Sequence, residues 1–219
     1  MATRALLAEL AQAWHAQTGG TVAFESVGGV DAVRRVAAGE AFDLVVLAAD
    51  AIAKLAAAGH VVPGSEVALV QSGVAIAVRE GAPRPDIGSE AALRRAVLAA
   101  RSVGYSTGPS GTALLALFER WGIAEALRER LVQAPAGVPV GGLVARDEVE
   151  LGFQQLSELM HLPGITLLGG MPPEVAIVTA FSAGLCATAA HPDAARALIA
   201  FMNSPATAAA KRRHGMAPA

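Results

Sequence analysis

Two spacings of apolar residues alternate along the chain, one helical and one extended. Leu6, Leu7, Leu10, Ala13 and Trp14 fall on one face at i, i+3, i+4 spacing, which predicts an amphipathic helix over 2–17 ended by Gly19-Gly20. Residues 21–25 (TVAFE) read as a short strand, followed by a turn at Ser26-Val27-Gly28-Gly29 and a helix from Asp31 to Ala38. The apolar run 43–48 predicts a buried strand, with Asp50 as cap of the next helix and Gly59 as its stop. Residues 67–70 and 74–78 predict two strand segments flanking a break at Gln71-Ser72-Gly73. Ser89 is placed to cap a helix carrying Leu93 and Val97.

Further along, 102–105 reads as a strand, 106–111 as a tight loop, and the following residues as a helix with Leu114, Leu115 and Phe118 on one side. Segments 165–168 and 175–178 are strand-like, and Pro172-Pro173 between them forbids a regular ladder. Asp193 opens a helix, and Ser204 with Pro205 at the first helical position opens another that closes with Lys211, Arg212, Arg213 and Gly215. Strands alternating with helices predict an α/β protein with mostly parallel sheets and helices on both faces.

Composition narrows the function classes. The 219 residues are 53% hydrophobic and 16% charged, which excludes general disorder. Seventeen Lys and Arg against 19 Asp and Glu give a net charge of −2 without a basic stripe, so nucleic acid is not an expected partner. Apolar runs are broken before they could span a bilayer, and Arg4 and Glu9 interrupt residues 1–14, which therefore do not read as a signal peptide. Cys186 is the single cysteine, lies in an apolar setting and reads as core packing. The five histidines lack metal-ligand spacing, and no nucleotide-binding glycine motif or nucleophile elbow is present, so neither metal nor cofactor is expected.

Two loops offer ligand chemistry. Ligands of open parallel sheets sit beyond the carboxyl ends of strands, where helix N-termini present free amides. Ser26 and Gly28 stand in one such strand-to-helix turn; Ser106, Thr107, Ser110 and Gly111 stand in the other, with three hydroxyls and the Gly111 amide ahead of a helix. Each also reads as a plain turn. Asp147, Glu148, Glu150 and Glu158 cluster around 152–159, either as a solvated face or as the surroundings of a Gln154 directed at a ligand.

These segments together resemble the molybdate-binding-protein-like group of type 2 periplasmic solute-binding proteins. The carriers are 22–29, the run from Phe42 to Asp50, 105–111, the stretch 149–158, and the C-terminal 191–218. The resemblance implies a two-lobed type 2 periplasmic-binding-protein-like fold, lobe 1 being 1–70 with 173–219 and lobe 2 being 71–172. Crossings are expected near 70–73 and 171–175, with the ligand in a cleft between lobes. Family members open with a strand and a serine-bearing loop, so the first strand is missing here, and Thr3 and Arg4 stand where that loop would end.

The function so implied is binding of a small anion for an ABC-type transporter, in a monomer with a permease as partner, periplasmic if a signal peptide precedes the chain and cytoplasmic otherwise. Val27 replaces the second of two adjacent serines that face molybdate, which shifts the expected ligand to an organic carboxylate, with Arg4 available to a second carboxyl. The alternative is an aconitate isomerase-like enzyme on the same scaffold, for which Glu25 and Glu148 are the candidate bases. A cytoplasmic ligand sensor is the third reading.

Overall fold

The structure is a computed structural model describing all residues from Met1 to Ala219. The first elements are α1 (Arg4–Thr18), α2 (Gly29–Ala37), β1 (Leu44–Ala48), α3 (Ala49–Ala57) and β2 (Val67–Arg79). Then come α4 (Glu90–Ala99), β3 (Val103–Tyr105), α5 (Pro109–Arg120), α6 (Ala124–Leu127), β4 (Leu131–Gln133), α7 (Val140–Ala145), β5 (Leu151–Gln155) and α8 (Leu156–Leu159). The chain finishes with β6 (Ile165–Gly170), β7 (Val178–Leu185), α9 (Pro192–Met202), α10 (Ala208–Arg213) and β8 (Met216–Pro218). No helix is long and apolar enough to cross a membrane.

The chain divides into two compact units, Met1–Ser72 with Thr179–Ala219, and Gly73–Val178. In the first, β1 pairs antiparallel with β7, Leu44 opposite Leu185 and Ala48 opposite Phe181. β7 also neighbours β2, whose first half pairs with β8. Leu6, Leu7 and Leu10 of α1 pack with Leu198, Ile199 and Met202 of α9 on one cluster, and Val36, Ile52, Leu55 and Cys186 form a second. Burying such side chains stabilises by about 1.5–3 kcal/mol each, before the entropy of ordering them is subtracted.

In the second unit the strands run β6, β2, β5, β3, β4, with β2 antiparallel to β5 and β6, and β3 parallel to β4 and β5. Ile76, Leu93, Leu114, Phe118, Leu151 and Phe153 anchor its core, where the Phe118 and Phe153 rings meet edge to face at 6.3 Å. A glycine pair shapes this sheet. Gly104 in β3 stands opposite Gly152 in β5. A Cβ at Gly104 would come within 2.7 Å of Val149 and one at Gly152 within 2.5 Å of Val144. Their bare backbones let α7 settle on the sheet.

Several local expectations are corrected. The sheet expected to be mostly parallel is mixed, because the long strands β2 and β7 make only antiparallel pairs with β1, β5, β6 and β8. Gln71-Ser72-Gly73 is no break: β2 is continuous because Gln71 and Ser72 pair with Ala217 and Met216 of the C-terminal β8. The second passage between units lies at Val178–Thr179, beyond the prolines, and Pro173–Val175 is a 3-10 turn. Residues 21–25 join no ladder. Val22 and Phe24 pack against the α1 cluster while Thr21, Ala23 and Glu25 are exposed, so the period of two survives without a strand beside it to pair with. Ala48, not Asp50, is the N-cap of α3. Ser204 precedes a 3-10 turn and makes no capping bond; Thr207 there donates to the carbonyls of Met202 and Ser204 at 2.9 and 2.8 Å.

Candidate functional site

Because β3 and β5 are parallel neighbours, the segments leaving them emerge on one edge of the second unit. The segment leaving β3 is the serine-rich loop. Gly108 is the N-cap of α5, Pro109 occupies the first turn, and no side chain caps the helix. The Ser106 and Ser110 hydroxyls lie 3.1 Å apart, Ser110 being buried and Ser106 half-buried. One of the two hydroxyls donates to the other, which leaves the second proton free to turn outward at a helix start whose dipole adds positive potential.

Gly111 has a different role from the one expected. Its amide donates to the Gly108 carbonyl at 3.0 Å, so that donor is occupied within the turn. Its value is steric: a Cβ there would lie 1.9 Å from the Ser106 carbonyl oxygen. Thr107 is exposed.

Gln154 is 3% exposed near the end of β5. Its Oε1 accepts from the backbone N–H of Val140 at 2.8 Å and, more weakly, from Gly141 at 3.4 Å, so it caps the start of α7. Glu158 of α8 is half-buried, and burial pushes its carboxyl above the usual carboxylate range. The Ser157 hydroxyl beside it is shielded and has no hydrogen-bond partner.

The acidic cluster of the sequence is split by β5. Asp147, Glu148 and Glu150 precede the strand and Glu158 follows it, so five extended residues, about 16 Å, separate the two ends. At the near end the Glu150 carboxylate accepts from the Arg101 amide at 2.6 Å, Asp147 lies 3.5 Å from Arg101, and Glu148 is paired with Arg146. Glu25 is held by Arg35 at 2.7 Å, and Arg35 also binds Glu40. Neither Glu25 nor Glu148 is therefore a free base. Sequence reasoning placed Glu158 in one acidic cluster with Asp147, Glu148 and Glu150, which β5 divides.

The remaining candidates lie in the first unit. Thr3 is buried and its carbonyl accepts from Leu7 in α1, while Arg4 is exposed. Ser26 and Gly28 are half-buried ahead of α2, with Gly28 as its N-cap. Nothing groups three or more His, Cys, Asp or Glu as a metal site. Cys186 is 1% exposed, and burial with Asp43 nearby pushes its thiol up to about 11, which suits packing rather than reactivity.

Comparison with known proteins places this geometry. The family model described as bacterial extracellular solute-binding protein matches residues 1–217. An aconitate isomerase from Pseudomonas sp is 40% identical over 185 residues, which is 84% of this chain and 70% of that protein. Among solved structures, the periplasmic molybdate-binding protein of Azotobacter vinelandii superposes with a TM-score of 0.79 at 20% identity, covering 98% of this chain and 94% of that one. Peb3 from Campylobacter jejuni gives 0.73 at 13% identity, covering 99% and 96%. The fold is that of the type 2 periplasmic binding proteins, and the chain belongs to the bacterial extracellular solute-binding protein family.

Proposed function

We propose that the protein binds a small organic polycarboxylate of the aconitate class, with the Ser106–Ser110 loop holding one carboxylate. The observation that carries this reading is the pair of hydroxyls 3.1 Å apart at the uncapped start of α5. When their mutual hydrogen bond is exchanged for the ligand, each hydroxyl can donate to a different carboxylate oxygen, and the helix terminus compensates the charge without an ion pair. The half-buried Val27 beside Ser26 supplies no donor where a second serine would serve a tetrahedral oxyanion, which favours a planar carboxylate over molybdate. As a member of a solute-binding family, the protein would hand this ligand to a membrane transporter.

A second reading is isomerisation of the bound ligand, favoured by the 40% identity to an aconitate isomerase. Calorimetric titration with molybdate, sulfate, citrate and both aconitates tests the binding reading. The expected result is saturable binding of a carboxylate, weakened about ten- to a hundred-fold in Ser110→Ala, the equivalent of one lost buried hydrogen bond to a charged group. Tight molybdate binding with no response to any carboxylate overturns it.

A further inference from the structure

We propose that Tyr105 is a ligand-binding residue of the serine-loop site, its phenol hydroxyl donating to a second carboxyl of the molecule whose first carboxylate lies on Ser106 and Ser110. This rests on the polycarboxylate reading and names what separates a polycarboxylate from a single carboxylate there. Tyr105 is the last residue of β3 and directly precedes Ser106, so it stands at the carboxyl end of that strand. Its backbone is fixed: it pairs with Gln133 of β4, and its carbonyl accepts from Ala134 at 2.9 Å. Alternation along β3 sends Val103 and Tyr105 to the same face, where both pack on the core that holds Leu114 and Phe118 of α5.

The glycine that admits the serine loop also brings the ring to the helix start. An ideal Cβ at Gly111 would lie 3.1 Å from the Tyr105 Cδ2, as well as 1.9 Å from the Ser106 carbonyl oxygen. Ring and loop therefore converge on the first turn of α5, the turn that carries Ser110. The tyrosine is half-buried, and its hydroxyl makes no hydrogen bond within the protein. Nor is that hydroxyl one of the shielded oxygens left without a partner, so it opens to the outside. A phenol with a packed body and an accessible, unused proton is held in place before any ligand arrives, and it loses little freedom on binding one. A serine hydroxyl stands close to its backbone and a phenol hydroxyl stands across a ring, so the two kinds of donor serve different parts of a ligand. A monocarboxylate is held by the serines alone, and a second carboxyl on the same small molecule gives the phenol its acceptor.

Tyr105 is the single tyrosine of the chain, so protein grown with tyrosine carbon-13 labelled at the ring carbon bearing the hydroxyl gives one NMR signal to follow. That signal is expected to move on saturation with trans-aconitate and to stay in place with crotonate, which has one carboxylate. In calorimetry, Tyr105→Phe is expected to bind trans-aconitate about ten- to a hundred-fold more weakly, the loss of one hydrogen bond to a charged group. Because phenylalanine keeps the packed ring, its thermal midpoint is expected to match that of wild type. Should the variant fail to fold, the signal in wild type decides alone. If trans-aconitate binds and Ser110→Ala weakens it, yet the tyrosine signal does not move or Tyr105→Phe binds as wild type does, the proposal is overturned and the binding reading stands. A signal that moves equally with crotonate overturns the place of the phenol at a second carboxyl. If wild type binds no carboxylate, the binding reading itself fails.

Discussion

The carbonyl oxygen of Ser106 occupies the space in which a side chain at Gly111 would begin, 1.9 Å from an ideal Cβ. The backbone of one site residue is thereby pressed against that of another, and the serine pair depends on this approach. Gly111→Ala is expected to displace the Ser106 carbonyl, costing about 1–3 kcal/mol of stability and abolishing carboxylate binding. Urea denaturation and calorimetry check both; a variant that binds normally would show that the loop has another way to hold its hydroxyls.

Glu9 of α1 meets both Arg213 and His214 near the C-terminus, its carboxylate lying 2.8 Å from the His214 Nε2. Hydrogen bonds from Arg213 and then His214 hold the Glu9 carboxyl below its ordinary 4.5. A lowered folded-state value means stability that is present above 4.5 and is lost as pH falls through the folded value. Wild type is therefore expected to be more stable than Glu9→Gln at pH 7, with the gap closing below pH 4.5. The side chain is about one-third exposed, so the effect is small; paired denaturation curves across this range measure it.

Lys211 is 2% exposed in α10, and burial lowers its pKa below the ordinary 10.5. The unfolded chain therefore binds this proton more tightly than the folded one, so the lysine lowers stability at neutral pH. The penalty is relieved as pH rises from the folded value toward 10.5. Lys211→Met keeps the stem and removes the charge. It is expected to raise the thermal midpoint by a few degrees, from about 1 kcal/mol. A lower midpoint would mean that the ammonium is used.

Cys186, with its thiol raised to about 11, is expected to resist a thiol reagent at pH 8 in the folded protein and to react fully in denaturant. Rapid labelling of the native protein would contradict its burial beside Val61 and Ile52.

How much of this the sequence disclosed depended on the range of the interaction involved. Ser89 was legible as a cap, and its hydroxyl accepts from Ala92 at 3.2 Å, because capping is decided within four residues. The serine loop and α5 were legible for the same reason. β2 read as two pieces because the partners of Gln71 and Ser72 arrive at Met216 and Ala217, and no local pattern announces them. β7 was missed beyond Val178: a Cβ at its Gly184 would come within 2.7 Å of Val61, a contact between distant segments that no local pattern announces. The acidic cluster misled because closeness in sequence concealed a strand that carries its members to opposite ends.

The path of the chain also sets an order of events during synthesis. Residues 73–178 form a contiguous unit that can fold as soon as it has emerged. Residues 1–72, made before it, must wait: β1 lacks its partner until β7 arrives, and the first half of β2 lacks β8 until residues 216–218 are added. Helix α1 meanwhile holds Leu6, Leu7 and Leu10 for a cluster whose other side, Leu198, Ile199 and Met202, is still inside the ribosome. That apolar face of α1 is thus exposed throughout the synthesis of the central unit, and a nascent chain of this protein needs a chaperone over that interval.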